Sequence, residues 1–262
     1  MVLRTLKYGN FVMFMKKILA LFLVSLSLIA CDDKKDENTL VVATSADYPP
    51  FEFYKDGQIV GFEMDLIRAI AKEMNKEIVI KDMSFDSLIG GLQSGRIDIA
   101  ISAISETPDR KEKVDFTIPY HRDSTVMLVG KTSPITKPEN LTGKSVGAQM
   151  GSTHEKRIKE EWQPTIPNLS LRSLSKVPDL IQDYKSGRLD AIVLGATEAE
   201  SIIKTHPEMK IVPLPGTEAI SAIALPKGSP LTEPINNILK KWETDGSLKK
   251  IQDIWFSAKE QG

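Results

Sequence analysis

The chain has 262 residues, of which 41% are hydrophobic and 26% are charged, and its formal net charge at pH 7 is −1. These values are typical of a globular protein with one large or two small domains, and they give no sign of a nucleic-acid-binding surface. The single cysteine, Cys31, excludes a disulfide within the chain and a cysteine-based metal cluster.

The N-terminal segment predicts export from the cytoplasm. Lys16 and Lys17 precede an apolar run over residues 18–30. This run is too short to span a bilayer, but it is typical of a secretory signal peptide. We predict a signal peptide over residues 1–30, with translation starting at Met15, and a charged, flexible tether over residues 31–38. The sequence LIAC that ends at Cys31 resembles the bacterial lipoprotein signal box, which implies that the thiol of Cys31 is lipidated.

Beyond residue 38, apolar patterns predict strands that alternate with helices. This alternation is typical of an α/β protein with mostly parallel sheets and helices on their faces. In the first part of the chain the predicted strands are 39–44, 51–54, 59–62, 77–81 and 97–102, and the helices are 63–74 and 84–92. In the second part the strands are 145–148, 169–173, 191–194, 210–212 and 221–225, and the helices are 153–162, 177–185, 197–206, 230–244 and 247–256.

An internal repeat predicts two similar lobes. Residues 87–102 (SLIGGLQSGRIDIAIS) match residues 179–194 (DLIQDYKSGRLDAIVL) at a constant offset. We place lobe 1 at residues 39–125 plus 218–262 and lobe 2 at residues 126–217. The chain then crosses twice between the lobes, which predicts a hinge. A cleft between two lobes is a common place for a small ligand.

Two helix starts are candidate anion sites. In Gly151-Ser-Thr-His-Glu155 a capping box opens a helix, and the glycine lets a ligand approach backbone N–H groups at the positive end of the helix dipole. The alternative is plain helix capping. Arg110 falls in the first turn of a helix that begins at Pro108, where a cation opposes the dipole. This placement suggests a bidentate grip on a carboxylate. The alternative is a solvated arginine paired with a carboxylate, the candidates being Glu106, Asp109 and Asp115.

A third candidate is the aromatic loop Tyr48-Pro-Pro-Phe51, which could wall the cleft together with Phe85, or could be a packed turn. At this point the chain resembles the periplasmic amino-acid-binding proteins of bacterial ABC importers, in the group that binds polar and basic amino acids. The matching segments are ADYPPFEF (46–53), GFEMDLIRAIA (61–71), IDIAISAISETPDRKEKVDFTIPY (97–120), GKSVGAQMGST (143–153) and SGRLDAIV (186–193). The resemblance implies an α/β, two-lobed type II periplasmic-binding-protein fold, with two mixed sheets flanked by helices and a two-strand hinge.

The resemblance also implies roles for single residues. Arg110 matches the arginine that grips the ligand α-carboxylate, and Ser105 and Thr153 match further donors to it. Ser102 and Ala103 match a strand end that holds the α-amino group, and Tyr48 and Phe85 match the aromatics that sandwich the side chain. The predicted ligand-binding set is Tyr48, Phe85, Ser102, Ala103, Ser105, Arg110, Gly151, Thr153 and Glu198.

One departure from the family concerns the α-ammonium group. The family usually has an aspartate at the position of Gly195, and an ammonium left without a partner in a closed cleft would cost several kcal/mol. Glu198, one turn further on, is our candidate replacement; a surface position for Glu198 is the alternative. Selection of the ligand side chain is also open, and the candidates for it are Ser45, Asp47, Gln149 and His154.

These observations predict a monomeric, non-catalytic receptor outside the cytoplasm, on the periplasmic side if the cell has two membranes. It is expected to be held to the membrane by a lipid anchor, to capture a polar or basic L-amino acid, with arginine favoured, and to deliver it to an ABC permease with a cytoplasmic ATPase. No cofactor, metal or nucleic acid is expected. The alternatives are a cyclohexadienyl dehydratase-like enzyme acting on prephenate or arogenate, and a ligand-gated sensor or adhesin.

Overall fold

The computed structural model describes residues 38–256. The predicted signal peptide, Cys31, the tether up to residue 37 and the last six residues of predicted lobe 1 lie outside the described residues. Within residues 38–256, no helix combines the length and the apolar character that crossing a membrane requires.

The strands follow the predicted alternation closely. β1 begins and ends as predicted, and the β3–β4 hairpin turns at Asp56 and Gly57, which both have positive φ. The strands are β1 (Thr39–Thr44), β2 (Asp47–Tyr48), β3 (Glu52–Lys55), β4 (Gln58–Val60), β5 (Glu77–Asp82), β6 (Ile99–Ala100), β7 (Val114–Phe116), β8 (His121–Gly130), β9 (Ser145–Gln149), β10 (Ser170–Leu174), β11 (Ala191–Gly195), β12 (Met209–Ser221) and β13 (Ala224–Pro226).

The helices also lie near their predicted positions. The predicted helix over 84–92 begins as a 3-10 turn at Phe85–Ser87, and the predicted helix over 153–162 ends as a π-helical turn at Ile158–Trp162. A separate 3-10 turn covers Pro138–Leu141. The α-helices are α1 (Phe62–Glu73), α2 (Leu88–Gln93), α3 (Pro108–Lys111), α4 (Thr153–Arg157), α5 (Val177–Lys185), α6 (Ala196–Thr205), α7 (Thr232–Asp245) and α8 (Ser247–Phe256).

The strands build two five-stranded sheets of the same design. The first has the order β5-β1-β6-β13-β7 and the second has the order β10-β9-β11-β8-β12. In each sheet four strands run parallel, and the fourth strand in the order, β13 or β8, is antiparallel to its neighbours. We call the first sheet, the small β2-β3-β4 sheet and helices α1–α3, α7 and α8 lobe 1, and the second sheet with α4–α6 lobe 2.

The repeated sequence makes the same bonds in both lobes. The backbone N–H of Asp98 bonds to the Val41 carbonyl while the Asp98 carboxylate accepts from the Val41 N–H. Asp190 makes the same reciprocal pair with Ser145. In each lobe the aspartate therefore joins the turn after a helix to the second strand in the order of the sheet, β1 or β9, which explains the repeated SGRxD pattern.

Each sheet is covered on both faces, as the alternation of side chains along a strand requires. In lobe 2, Met127 and Val129 of β8 belong to the core beside α4, whereas Val126 and Leu128 belong to the core beside α5 and α6. In lobe 1, α1, α7 and α8 cover one face and α2 covers the other. The two lobes thus have separate apolar cores.

Three strands near the connections between the lobes differ in length from the predicted strands. The predicted strand over 210–212 is part of the longer β12, because β12 pairs with nearly the whole of β8, with an irregularity between Pro213 and Glu218. The predicted strand over 221–225 is divided between the end of β12 and β13, and the predicted strand over 97–102 shortens to two residues. Beyond the irregularity, His121–Ser124 and Glu218–Ser221 form a two-stranded ribbon.

Candidate functional site

One cavity receives side chains from both lobes. It contains seven of the predicted ligand-binding residues and two of the predicted selectivity residues, Gln149 and His154. The seven are Tyr48, Phe85, Ser102, Ala103, Ser105, Arg110 and Thr153. Other lining residues that the sequence analysis did not select are Phe51, Glu52, Asp123, Ser152, Val177, Leu180, Val193, Leu194, Gly195, Ala219 and Ser221.

Local structure places Arg110 at this cavity. Thr107 caps the short helix α3 by accepting from the Arg110 N–H at 3.3 Å, and Pro108 is the first helical residue, as predicted. The guanidinium donates from Nη1 to the Ser105 carbonyl at 2.6 Å and from Nη2 to the Gly151 carbonyl of lobe 2 at 3.0 Å. It also lies 5.5 Å from the centre of the Phe85 ring. Arg110 is therefore held by carbonyl groups and an aromatic face.

The Arg110 guanidinium has no carboxylate partner within residues 38–256. The three candidate partners are paired with lysines instead: Glu106 with Lys111, Asp109 with Lys156 and Asp115 with Lys227. Burial lowers the pKa of Arg110 to about 10, so the side chain remains charged at neutral pH. The solvated, ion-paired alternative is wrong, and a positive charge without a counter-ion faces the cavity, where an anion is favoured.

The helix start after Gly151 forms a capping box, as predicted. Ser152 Oγ accepts from the Glu155 N–H at 3.1 Å, and Glu155 Oε2 accepts from the Gly151 N–H at 2.8 Å. The capping therefore uses the Gly151 N–H. Gly151 does not line the main cavity but meets it through its carbonyl, which accepts from Arg110. Thr153 and His154 of α4 do line it, and burial lowers the pKa of His154 to about 4, so this imidazole is neutral.

Tyr48 and Phe85 line the cavity as the predicted aromatic wall, and Phe51 extends it. The Tyr48 hydroxyl accepts from the Gly195 N–H of lobe 2 at 2.9 Å. The Tyr48 and Phe51 rings are 5.8 Å apart. The loop after β2 is thus both packed and exposed to the cavity, so the two sequence alternatives are compatible.

The strand end at Ser102 and Ala103 is held by two buried glutamates. Ser102 Oγ donates to Glu52 Oε1, and the Ala103 N–H donates to Glu63 Oε1, each at 2.7 Å. Ala103 has a positive φ of 45°, which non-glycine residues seldom adopt. Tyr120 donates to the same Glu63 oxygen. Because both carboxyl groups are out of reach of water, the geometry of this turn depends on them.

Two predicted selectivity residues, Ser45 and Asp47, do not line the main cavity. Asp47 is buried, and its carboxylate accepts from Ser45 Oγ at 2.6 Å, from the Val177 N–H at 2.7 Å and from Gln149 Nε2 at 3.2 Å. Lys176 of lobe 2 lies 3.7 Å from Asp47. These groups join the two lobes, so direct selection of the ligand by Ser45 or Asp47 has no support in this arrangement.

Glu198 also lies away from the main cavity. It is fully buried on α6 and lines a second cavity with Asp47, Pro49 and His206 among others. Neither of its carboxyl oxygens has a hydrogen-bond partner of good geometry within the described residues. Burial, with the nearby carboxylates of Asp47 and Asp123, raises the pKa of Glu198 well above its ordinary value. The surface alternative for Glu198 is wrong, and the structure does not bring its side chain to the predicted ammonium site.

The sequence analysis missed Glu52, Glu63 and Asp123. The available signal for the two glutamates was their position within apolar segments, FEF and GFEMD, where a charged residue is unexpected inside a folded core. Asp123 lies in the segment HRDST, whose alternation with Arg122 looks like an exposed strand, and only the approach of lobe 2 gives it a place on the cavity.

The buried glutamates predict a stability that falls as pH rises. Burial raises the pKa of Glu52, Glu63 and Glu198. A group whose pKa is raised in the folded state contributes stability below its unfolded pKa, and this contribution is lost as pH rises through the folded value. From the ordinary glutamate pKa of 4.5 upward, Glu198→Gln is expected to flatten the fall in unfolding free energy with pH, by up to about 1.4 kcal/mol per pH unit.

Urea denaturation at several pH values measures this slope. His121 and His154, whose pKa values burial lowers, contribute to the slope in the wild type and in the variant alike, so the difference between the two slopes reports on Glu198. The matched control is Glu218→Gln, at an exposed glutamate, which should keep the wild-type slope. A Glu198→Gln slope parallel to that of the wild type would contradict the prediction.

The chain is similar to known proteins in both sequence and fold. The family model described as bacterial extracellular solute-binding proteins, family 3, matches residues 40–258. The arginine-binding extracellular protein ArtP of Bacillus subtilis is 36% identical over 256 residues, which cover 93% of this chain and 99% of that protein. The ABC transporter arginine-binding protein 1 of Escherichia coli is 32% identical, over 92% of this chain and 98% of the relative.

A solved structure of an ancestral arginine-binding protein bound to arginine is similar in fold and sequence. It has a TM-score of 0.80 and 37% identity, and the match covers 84% of this chain and 99% of that one. The matched family and these relatives are binding proteins and not enzymes, so the dehydratase alternative is not supported. The chain belongs to family 3 of the bacterial extracellular solute-binding proteins, with the type II periplasmic-binding-protein fold, and is an amino-acid-binding receptor of ABC transport.

Proposed function

We propose that the receptor captures a polar or basic L-amino acid, with L-arginine the first candidate, between its two lobes and delivers it to an ABC permease driven by a cytoplasmic ATPase. Arg110 binds the α-carboxylate, with Ser105 and Thr153 as further donors. Ser102 and Ala103 border the α-amino group, and the ligand side chain lies between Tyr48 and Phe85. Arginine is favoured because the named relatives and a matched ligand-bound structure bind arginine.

The observation that carries this proposal is the Arg110 guanidinium, charged and partly buried, with no carboxylate partner in the described part of the chain. An uncompensated buried charge is costly. A ligand carboxylate would compensate it and would contact both lobes through Arg110, because Nη2 already reaches Gly151. Binding and lobe closure are thereby coupled.

Hinge motion is part of the proposal, with lobes at 39–125 plus 218–262 and 126–217. The free volume of the cavity is about 40 Å³. That is room for only a few waters, since one water needs roughly 10–15 Å³. An amino acid therefore enters only after the lobes separate, and bonds that join them, such as Lys176 to Asp82 at 3.0 Å, must break. The ribbon of His121–Ser124 and Glu218–Ser221 is the proposed hinge.

The proposal also includes export and anchoring. The signal peptide over residues 1–30 is removed, the thiol of Cys31 carries the lipid, and residues 31–38 tether a monomeric receptor to the membrane. The extracellular or periplasmic relatives support export. Cell fractionation tests the anchor: a Cys31→Ser variant that stays in the membrane fraction would contradict it.

A thermal-shift screen of the purified protein against the twenty amino acids tests the receptor function. A ligand that binds only the folded state adds about 2.7 kcal/mol of stability at a hundredfold excess over Kd, which corresponds to roughly 5–10 °C for a protein of this size. We expect a shift with L-arginine or with a small group of polar or basic amino acids. The absence of any shift across the twenty would overturn the proposal.

A further inference from the structure

The space beside Gly195, where another residue would have a side chain, is filled by the side chain of Asp123. A Cβ built on Gly195 would lie 2.8 Å from Asp123 Oδ2 and 3.0 Å from the Tyr48 hydroxyl. The carboxylate of Asp123 therefore occupies the volume that a side chain at position 195 would need. We propose that Asp123 accepts the α-ammonium group of the bound amino acid. This inference rests on the proposed receptor function and identifies the group that completes its site.

Asp123 also makes the bond that a capping aspartate at position 195 would make. Gly195 is the N-cap of α6 and has no side chain to accept from the first turn. Asp123 Oδ2, reaching across from β8, accepts from the Thr197 N–H at 3.1 Å. Capping by an aspartate normally uses the N–H of the second or third helical residue, and Thr197 is the second. The carboxylate of Asp123 thus comes from the neighbouring strand β8 and makes the same contact with the helix.

The Asp123 carboxylate is held in place with its charge uncompensated by any side chain. Oδ1 accepts from the Ser124 N–H at 2.8 Å. No lysine, arginine or histidine in residues 38–256 pairs with it, and the adjacent Arg122 pairs with Glu218 instead. Two backbone N–H groups therefore orient an anion at the cavity wall, and each oxygen keeps a lone pair for the ligand.

The charges on the cavity wall match the head group of an amino acid. Arg110 supplies a cation and Asp123 an anion, and both line the same cavity. Burial lowers the pKa of His154 to about 4, so that imidazole is neutral at pH 7, and burial raises the pKa of Glu52 and Tyr48 well above their usual values, which favours their neutral forms. An α-carboxylate at Arg110 and an α-ammonium at Asp123 would pair both charges.

Asp123 meets these requirements better than Glu198 does. Glu198 lines the second cavity and not the first, and burial raises its pKa well above the ordinary value, which favours its neutral form. A neutral carboxyl group gives an ammonium ion far less than an ionised carboxylate does. Replacing Asp123 should therefore weaken the binding of ligands that carry an α-amino group.

Titration calorimetry with two probes tests the assignment. The probes are L-arginine and 5-guanidinopentanoate, which is arginine without its α-amino group. Asp123→Asn keeps an oxygen for the Thr197 N–H but loses the charge. We expect it to weaken L-arginine binding about 100-fold, as for loss of one partner of a desolvated charge pair, and to change 5-guanidinopentanoate binding by less than about threefold. The control Asp253→Asn, at an exposed aspartate that pairs with Lys249 on α8, should match the wild type with both probes.

Each other result contradicts the assignment in a distinct way. Wild-type affinity of Asp123→Asn for L-arginine would overturn it, and equal losses for both probes would assign Asp123 to the ligand side chain instead. A loss in Glu198→Gln with none in Asp123→Asn would return the role to Glu198. If the wild type binds L-glutamine and not L-arginine, the same comparison is made with L-glutamine and its deaminated analogue, glutaramate. Failure of the wild type to bind any of the twenty amino acids would refute the receptor function itself, which separates the two failures.

A second variant keeps the test decisive if Asp123→Asn does not fold. In the double variant Asp123→Ala, Gly195→Asp the clash with Asp123 Oδ2 is removed, and the new carboxylate is at the N-cap of α6. We expect it to cap Thr197 and to restore L-arginine binding to within about tenfold of the wild type, whereas Asp123→Ala alone remains at least about 100-fold weaker. Equal affinities of the single and double variants would overturn the proposal.

Discussion

Replacing Arg110 by lysine is expected to weaken binding of the amino acid by about 100-fold or more, with the fold intact. Arg110 faces the cavity with a charge that no carboxylate in the described chain compensates, and its two nitrogens already donate to Ser105 and Gly151. A lysine keeps the charge but loses the planar fork that binds a carboxylate through two bonds. Loss of such a desolvated pair costs about 3 kcal/mol, which sets the expected factor.

Isothermal titration of L-arginine and of L-argininamide, which lacks the carboxylate, assigns the loss to the correct group. The wild type should prefer L-arginine strongly, and Arg110→Lys should lose most of that preference. Arg68→Lys is the control, because Arg68 is exposed on α1 and pairs with Asp65. An affinity of Arg110→Lys for L-arginine within about threefold of the wild type would contradict the role of Arg110 in the site.

Gly61→Ala is expected to cost about 4 kcal/mol of stability or more, which is at the extreme of single substitutions. Gly61 has a φ of 133° and a ψ of 173°, a region that only glycine occupies readily. A Cβ there would lie 2.1 Å from the Phe51 carbonyl oxygen. This oxygen accepts from the Glu63 N–H at the start of α1, so the backbone cannot retreat without breaking that bond.

Gly57→Ala separates the two causes of the Gly61 effect. Gly57 also has a positive φ, of 76°, but a Cβ there meets no atom within 4 Å. We expect this control to cost only about 1 kcal/mol, the penalty of the left-handed conformation alone. Urea denaturation measures both variants. A Gly61→Ala cost as small as that of Gly57→Ala would show that the chain relieves the contact with Phe51 by moving.

The repeat shows why much of the fold could be predicted. Each copy carries a local signal, an amphipathic helix, a glycine at positive φ and an aspartate, and each aspartate bonds to the second strand in the order of its own sheet, β1 or β9. The irregular elements were harder to predict: β12 is long because it pairs with β8, a partner that is distant in sequence.

The residues of the candidate site likewise fall into two groups, those with a local sequence signal and those that depend on distant contacts. Arg110 and the capping box of Ser152 were found because a helix start is encoded in four or five consecutive residues. Ser45 and Asp47 were selected for being near the aromatic loop, but their hydrogen bonds are used between the lobes. Asp123 has no local sequence signal, because its proposed function depends on the space beside Gly195, a residue that is distant in sequence.

The sequence by itself determined the alternation of helices and strands, the two-lobed design and the helix starts, because each rests on hydrophobic periodicity or capping among neighbouring residues. Only the tertiary structure decided which carboxyl groups are buried and which one faces the cavity. Glu198 and Asp123 illustrate the reason. Glu198 is fully buried on α6, where burial raises its pKa, whereas Asp123 reaches the cavity wall beside Gly195, and both placements depend on the lobe that packs against the residue.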